Sequence, residues 1–185
     1  MRVFLYLIVG VVLFYIDSII GLLIPMHLGH FEFNFIPHLI LLYILLITIY
    51  RGFGIGLIFA ILFGIVTDIY VGSVYGLYMF GYLALVVIFD KFLKVFYRDY
   101  TMICILSIIS IIVFEIYVAI IYGVIGFANI DIINFILLRM IPTIILNVIL
   151  LIILFPVFMK FMKKTHIQDW HRYLVMVRCN SWVVL

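Results

Sequence analysis

The chain has 185 residues, of which 70% are apolar and only 10% charged, with a net charge of +3. Soluble domains carry roughly 25% charged residues, and a mean hydropathy of +1.48 leaves too little polar surface to cover a water-facing globule. A soluble enzyme, a nucleic-acid-binding module and a disordered chain are excluded; lipid is the solvent that fits.

A bilayer core of about 30 Å takes about 20 helical residues per crossing, so six or seven crossings fill the chain and leave no extramembrane domain. The apolar runs are continuous rather than alternating, which predicts helices and not a β-barrel. In chain order, span 1 covers residues 3–24 and stops at Pro25. Asp17 interrupts it and no small-x-small cleavage site follows, so it is expected to be retained rather than removed as a signal peptide. Span 2 covers 36–50, with Pro37 in its first turn and Asn34 as the cap before it. Span 3 covers 52–70, span 4 74–89, span 5 101–125 and span 6 132–158.

Charge orients the spans. With six crossings, Arg2, Arg51, Lys91, Lys94, Arg98, Lys160, Lys163, Lys164, Arg172 and Arg178 all fall on one side, and the loops on the other side carry no Lys or Arg. The positive-inside rule makes that side the cytoplasm. The expectation is an all-α six-helix membrane bundle over residues 1–164 with both termini inside. Residues 165–185 form a cytoplasmic tail, in which Trp170, Tyr173 and their apolar neighbours suit an interfacial segment or a mobile end. Cys104 and Cys179 form no disulfide framework and no metal spacing.

Four ionisable residues fall within the spans: Asp17, Asp68, Glu115 and Arg139. Counted at 1.5 Å per residue, all four lie about 20–24 Å from the inner edge, in one layer of the outer half. A charge at that depth needs a partner. Arg139 is expected to hold one or two of the carboxylates inside the bundle, with Asp68 the acid most suited to face water. Such a layer is read in two ways: a polar cavity for a ligand or proton path, or an ion-pair network fixing helix order. Pro142, one turn beyond Arg139, should kink span 6 and free the carbonyl of Leu138. Thr143 and Asn147 continue the Arg139 face, and Ser107, Glu115, Ala119 and Gly123 form a matching stripe on span 5.

Small residues recur every four positions at Gly52, Gly56, Ala60, Gly64, Asp68, Gly72 and Gly76. The first five form a groove winding along span 3, for close packing or for a partner's helix. His27, His30 and His38 sit near one edge, with Glu32 the acid beside them; they make a poor metal site. HExxH, a nucleophile elbow and phosphate-cradling loops are missing, so neither an enzyme nor a cofactor is expected.

The stretch from Pro37 to Val87 has a proline opening span 2, a glycine-rich span 3 and the string Gly64-x-x-x-Asp68-x-x-x-Gly72-x-x-x-Gly76. With six spans, and Pro156 followed by Lys160, Lys163 and Lys164, it resembles the rod shape-determining protein MreD family. The pattern covers residues 1–164, the motif about 50 of them, and the segment after Thr165 departs from it. The resemblance carries over to Pro37, Gly64, Asp68, Gly72, Gly76 and Pro156. It implies a non-enzymatic component of the bacterial cell-shape and peptidoglycan elongation machinery, in the cytoplasmic membrane. Its implied partner is the bitopic protein MreC, and through it a SEDS glycosyltransferase, a class B penicillin-binding protein and, in rods, MreB. It also implies a fold similar to the substrate-binding subunit of energy-coupling-factor vitamin transporters, which supplies an alternative function. Those subunits carry an Ala-x-x-x-Ala face on their first helix, and span 1 has no alanine. A proton-coupled carrier, the third reading, would show broken helices in both halves, whereas only span 6 is clearly broken. As a scaffold, the chain would offer a partner's span either the span 3 groove or the aromatic face of span 4 (Tyr75, Tyr78, Phe80, Tyr82). Its basic residues would meet anionic headgroups, at about 1 kcal/mol each.

Overall fold

A computed structural model describes residues 2–23, 27–28, 31–32, 35–71, 74–96, 100–126, 132–158 and 160. Among them the apolar runs form six helical stretches: α1 (Arg2–Leu23), α2 (Leu39–Arg51), α3 (Phe53–Tyr70), α4 (Leu77–Phe96), α5 (Tyr100–Ile125) and α6, which opens at Ile132–Phe135. α6 widens into a π turn over Ile136–Met140 and is α-helical again over residues 141–158. A two-residue antiparallel ladder, His27–Leu28 against Phe31–Glu32, lies between α1 and α2 and is the departure from an all-helical chain among the described residues. Among the described residues, four stretches are long and apolar enough to cross a membrane: Phe4–Leu23, Phe53–Tyr70, Ile103–Ile125 and Ile136–Phe158.

The chain divides into two compact units, Met1–Leu150 and Leu151–Leu185. In the first, α2 is the core. Its 13 residues are too few for a typical crossing, yet every side chain from Leu39 to Thr48 is buried. A helix apolar all round is one that other helices enclose. α3 and α4 pack together most extensively, and α3 also lies against α2. α1 is the least covered: Phe4, Ile8, Val12, Tyr15 and Ile19 are exposed. Apolar side chains facing outward are the expected surface where the solvent is hydrocarbon.

The α1–α2 pair is tied at one end by tyrosines. Tyr43 donates its hydroxyl to the Tyr6 carbonyl at 2.6 Å. Arg51 hydrogen-bonds the Tyr6 hydroxyl, and its guanidinium sits 4.8 Å from the Tyr6 ring centre. The chain then turns from α2 into α3 through Gly52, whose φ of +95° a residue with a Cβ would adopt only under strain.

Two helices depart from their expected boundaries. α2 begins at Leu39 rather than Ile36, so Pro37 precedes the helix instead of occupying its first turn. α4 begins at Leu77 and ends at Phe96, three and seven residues later than expected, which makes it four residues longer. In the second unit, residues 151–158 are helical, with Leu151, Leu154 and Phe158 buried and Pro156 exposed. Asn34, the boundary at residue 164 and the tail 165–185 lie outside the described residues.

Candidate functional site

The buried start of α2 organises the polar residues. Pro37 holds Ile36 extended, so residues 35–38 form no helix and their backbone groups need partners from elsewhere. α6 supplies them. Thr143 Oγ1 accepts the Ile36 N–H at 3.3 Å. Asn147 Oδ1 accepts the His38 N–H at 2.7 Å, while its Nδ2 donates to the Ile36 carbonyl at 2.8 Å. α1 supplies the next: Asp17 Oδ1 accepts the Leu39 N–H at 3.1 Å. A carboxylate there satisfies an orphan donor of the first helical turn and faces the positive end of the helix dipole. Asp17 therefore caps α2 from a neighbouring helix and has no part in an ion pair with Arg139.

Glu115 on α5 joins two side chains, the His38 ring and the Arg139 guanidinium. His38 Nε2 lies 2.7 Å from Oε1, and Arg139 Nε donates to Oε2 at 3.0 Å. Glu115 is 2% exposed and Arg139 28%. Phe114 packs edge-on against the His38 ring, centroids 5.4 Å apart. Arg139 stands inside the π turn, where the Ile141 N–H reaches back five residues to the Ile136 carbonyl. Pro142 follows at once; the disturbance expected of it takes the form of this widened turn, which resets where Arg139 points.

Asp68 is not at a watery edge. It is 3% exposed and grips the first turn of α4, Oδ1 accepting the Tyr78 N–H at 2.8 Å and Oδ2 the Met79 N–H at 3.1 Å. The turn into α4 passes through Gly76 at φ +91°. Two of the intramembrane acids thus serve as caps supplied by a different helix, and one is the centre of an ion pair.

The small-residue ladder faces inward. Gly56 lies against Thr48 of α2, Ala60 is fully buried, and a Cβ on Gly64 would stand 2.5 Å from the Met79 Cα of α4. It packs α3 on its neighbours and is not a groove open to a partner's span. Gly52 belongs to the turn, and Gly72 lies outside the described residues. The aromatic face of span 4 also splits: Tyr75 and Phe80 are exposed, whereas Tyr82 is buried and Tyr78 half-buried. On α5, Ser107, Glu115 and Ala119 are buried but Gly123 is exposed.

Beside this constellation is a cavity of about 300 Å³, lined by Phe14, Asp17, His38, Thr67, Tyr78 and Tyr82 among others. Leu22, Tyr70 and Val71, at the ends of α1 and α3, stand exposed at its margin.

Sequence reasoning missed two features. His38 reads with His27 and His30 as one of an edge cluster, but it is buried on Glu115; its position beside Pro37 within an apolar run was the available signal. The Tyr6–Tyr43–Arg51 tie has none, because it depends on how α1 and α2 face each other. Among the described residues no His, Cys, Asp and Glu side chains group as a metal site.

Long apolar helices enclosing hydrogen-bonded carboxylates define an α-helical membrane protein whose inner polar groups are engaged with one another. A family model, rod shape-determining protein MreD, matches residues 1–165, and the chain belongs to that family. Membership gives it a role in rod shape determination. No curated protein matches it, and no solved structure does.

Proposed function

We propose that this protein is a six-span, non-enzymatic scaffold of the cell-wall elongation machinery, with both termini in the cytoplasm. It engages an MreC-like bitopic protein and, through it, a SEDS glycosyltransferase and a class B penicillin-binding protein. The family match over residues 1–165 carries the reading. The one-sided distribution of Lys and Arg supports the topology, and the engagement of Glu115, Asp17 and Asp68 in internal bonds supports a structural use of the intramembrane charges. A fold similar to the transporter substrate-binding subunits is part of this proposal.

With the glycine ladder turned inward, the outward apolar face of α3 is the surface we assign to a partner's span, ahead of the exposed apolar faces of α1, α5 and α6. Ile58, Ile61, Leu62, Ile65 and Ile69 form the α3 face. A photocrosslinking amino acid at position 61 or 65, in native membranes, should capture the MreC-like protein; the same group at buried position 60 should not. Co-purification without crosslinks from α3 would move the contact elsewhere. Absence of co-purification would refute the scaffold reading.

A further inference from the structure

We propose that the cavity beside the α2 start binds a small organic ammonium group, free in solution or carried as the amine of a lipid headgroup. The size fits: about 300 Å³ equals about ten water volumes at ~30 Å³ each, room for a ligand of about that many non-hydrogen atoms.

The charge also fits. Among the described residues lining the cavity, Asp17 alone is acidic and none is Lys or Arg. The Arg139 guanidinium is held by Glu115 at 3.0 Å, and His38 directs Nε2 to the same carboxylate at 2.7 Å. Asp17 is oriented by the Leu39 N–H at 3.1 Å, and no ion pair joins it to a described Lys or Arg. Beyond the partial charge of the α2 dipole, the group that would complement this carboxylate inside the cavity is a cation.

Hydrogen-bond polarity points the same way. The hydroxyls of Ser18 and Thr67 both line the cavity. Each already donates its hydrogen to its own helix, Ser18 to the Phe14 carbonyl at 3.0 Å and Thr67 to the Phe63 carbonyl at 2.7 Å. What they present is oxygen lone pairs, which suit an N–H donor and repel an anion. The walls are aromatic, with Phe14 and Tyr70 meeting edge to face at 5.5 Å and Tyr78 and Tyr82 at 6.2 Å. Aromatic faces attract a desolvated ammonium and pack its alkyl arm.

The test uses the full chain in phosphatidylglycerol nanodiscs, with butylammonium as probe and 1-butanol as its neutral counterpart of the same shape. Butylammonium should bind at least tenfold more tightly than butanol by saturation-transfer NMR titration. Asp17→Asn keeps the oxygen that accepts the Leu39 N–H and removes the charge; it should weaken butylammonium at least tenfold. Gly21→Leu tests the site without touching Asp17, because a Cβ there meets only the Pro37 ring, at 3.9 Å; the larger side chain should fill the cavity and abolish binding. Added phosphatidylethanolamine that displaces the probe identifies a headgroup source. Displacement by free ethanolamine alone identifies a soluble one. Equal affinity for butylammonium and butanol, or unchanged affinity in both variants, would overturn the proposal.

Discussion

Glu115 bears the heaviest consequence at the residue scale. Replacing it with Leu strands Arg139 and His38 without their acceptor. Removing one member of a buried charged pair costs about 3–5 kcal/mol, and Glu115→Leu should lower stability by that order in a denaturant titration in detergent micelles. Arg139→Leu should cost less, about 1–2 kcal/mol, since the guanidinium is 28% exposed and Glu115 keeps His38. Equal losses would mean that Glu115 does not bridge the two. Asp68→Ala leaves two α4 amides without an acceptor and should cost about 2–4 kcal/mol, whereas Asp68→Asn retains one acceptor and should recover part of that. The sequence made these acids visible as interior residues, because a carboxylate in an apolar run has few other options. It anticipated that Arg139 holds a carboxylate, which Glu115 bears out, but not that Asp17 and Asp68 accept backbone amides. Counting residues gives depth along a helix but not which neighbour the side chain faces, and a backbone amide at another helix's start leaves no trace in side-chain composition.

At the scale of elements, two glycines on one helix should respond oppositely. Gly64→Val places a side chain where only 2.5 Å separates an added Cβ from the Met79 Cα, and overpacking of this kind costs about 1–3 kcal/mol or more. Gly54 has nothing within 4 Å of an added Cβ, so Gly54→Ala should raise stability by about 0.5–1 kcal/mol through helix propensity alone. A melting comparison of the two variants reads both signs. If Gly64→Val is neutral, α3 and α4 are not in close contact. The helices themselves were largely legible: the apolar runs end at prolines, glycines and charges, and α1, α3 and α5 begin and end, and α6 begins, within about two residues of where these signals put them. The start of α2 was not. Proline favours a first helical turn when local geometry decides. Here Thr143 and Asn147, more than a hundred residues away in sequence, take up the Ile36 and His38 N–H groups outside the helix instead. Long-range hydrogen bonding overrode a local preference.

For the whole molecule, the charge pattern makes a prediction about sidedness. Single cysteines at positions 51 and 160, in a background lacking Cys104 and Cys179, should be shielded from an impermeant thiol reagent in intact cells and react after permeabilisation. A cysteine at position 75, on exposed Tyr75, should react in both. Labelling of position 160 in intact cells would break the six-span arrangement. Lipid forces the intramembrane ionic groups Asp17, Asp68, Glu115 and Arg139 onto one another and onto helix starts, where they brace the bundle. Replacing a buried ion pair by neutral groups of similar shape is often close to neutral in stability. Glu115→Gln combined with Arg139→Gln keeps hydrogen-bonding capacity and removes both charges. The decisive measurement is whether that double variant, introduced into rod-shaped cells lacking their own MreD, restores rod shape. A brace predicts a folded protein, within about 1 kcal/mol of wild type, and rods. A folded double variant that leaves the cells round would contradict it, because the charges themselves would then be required.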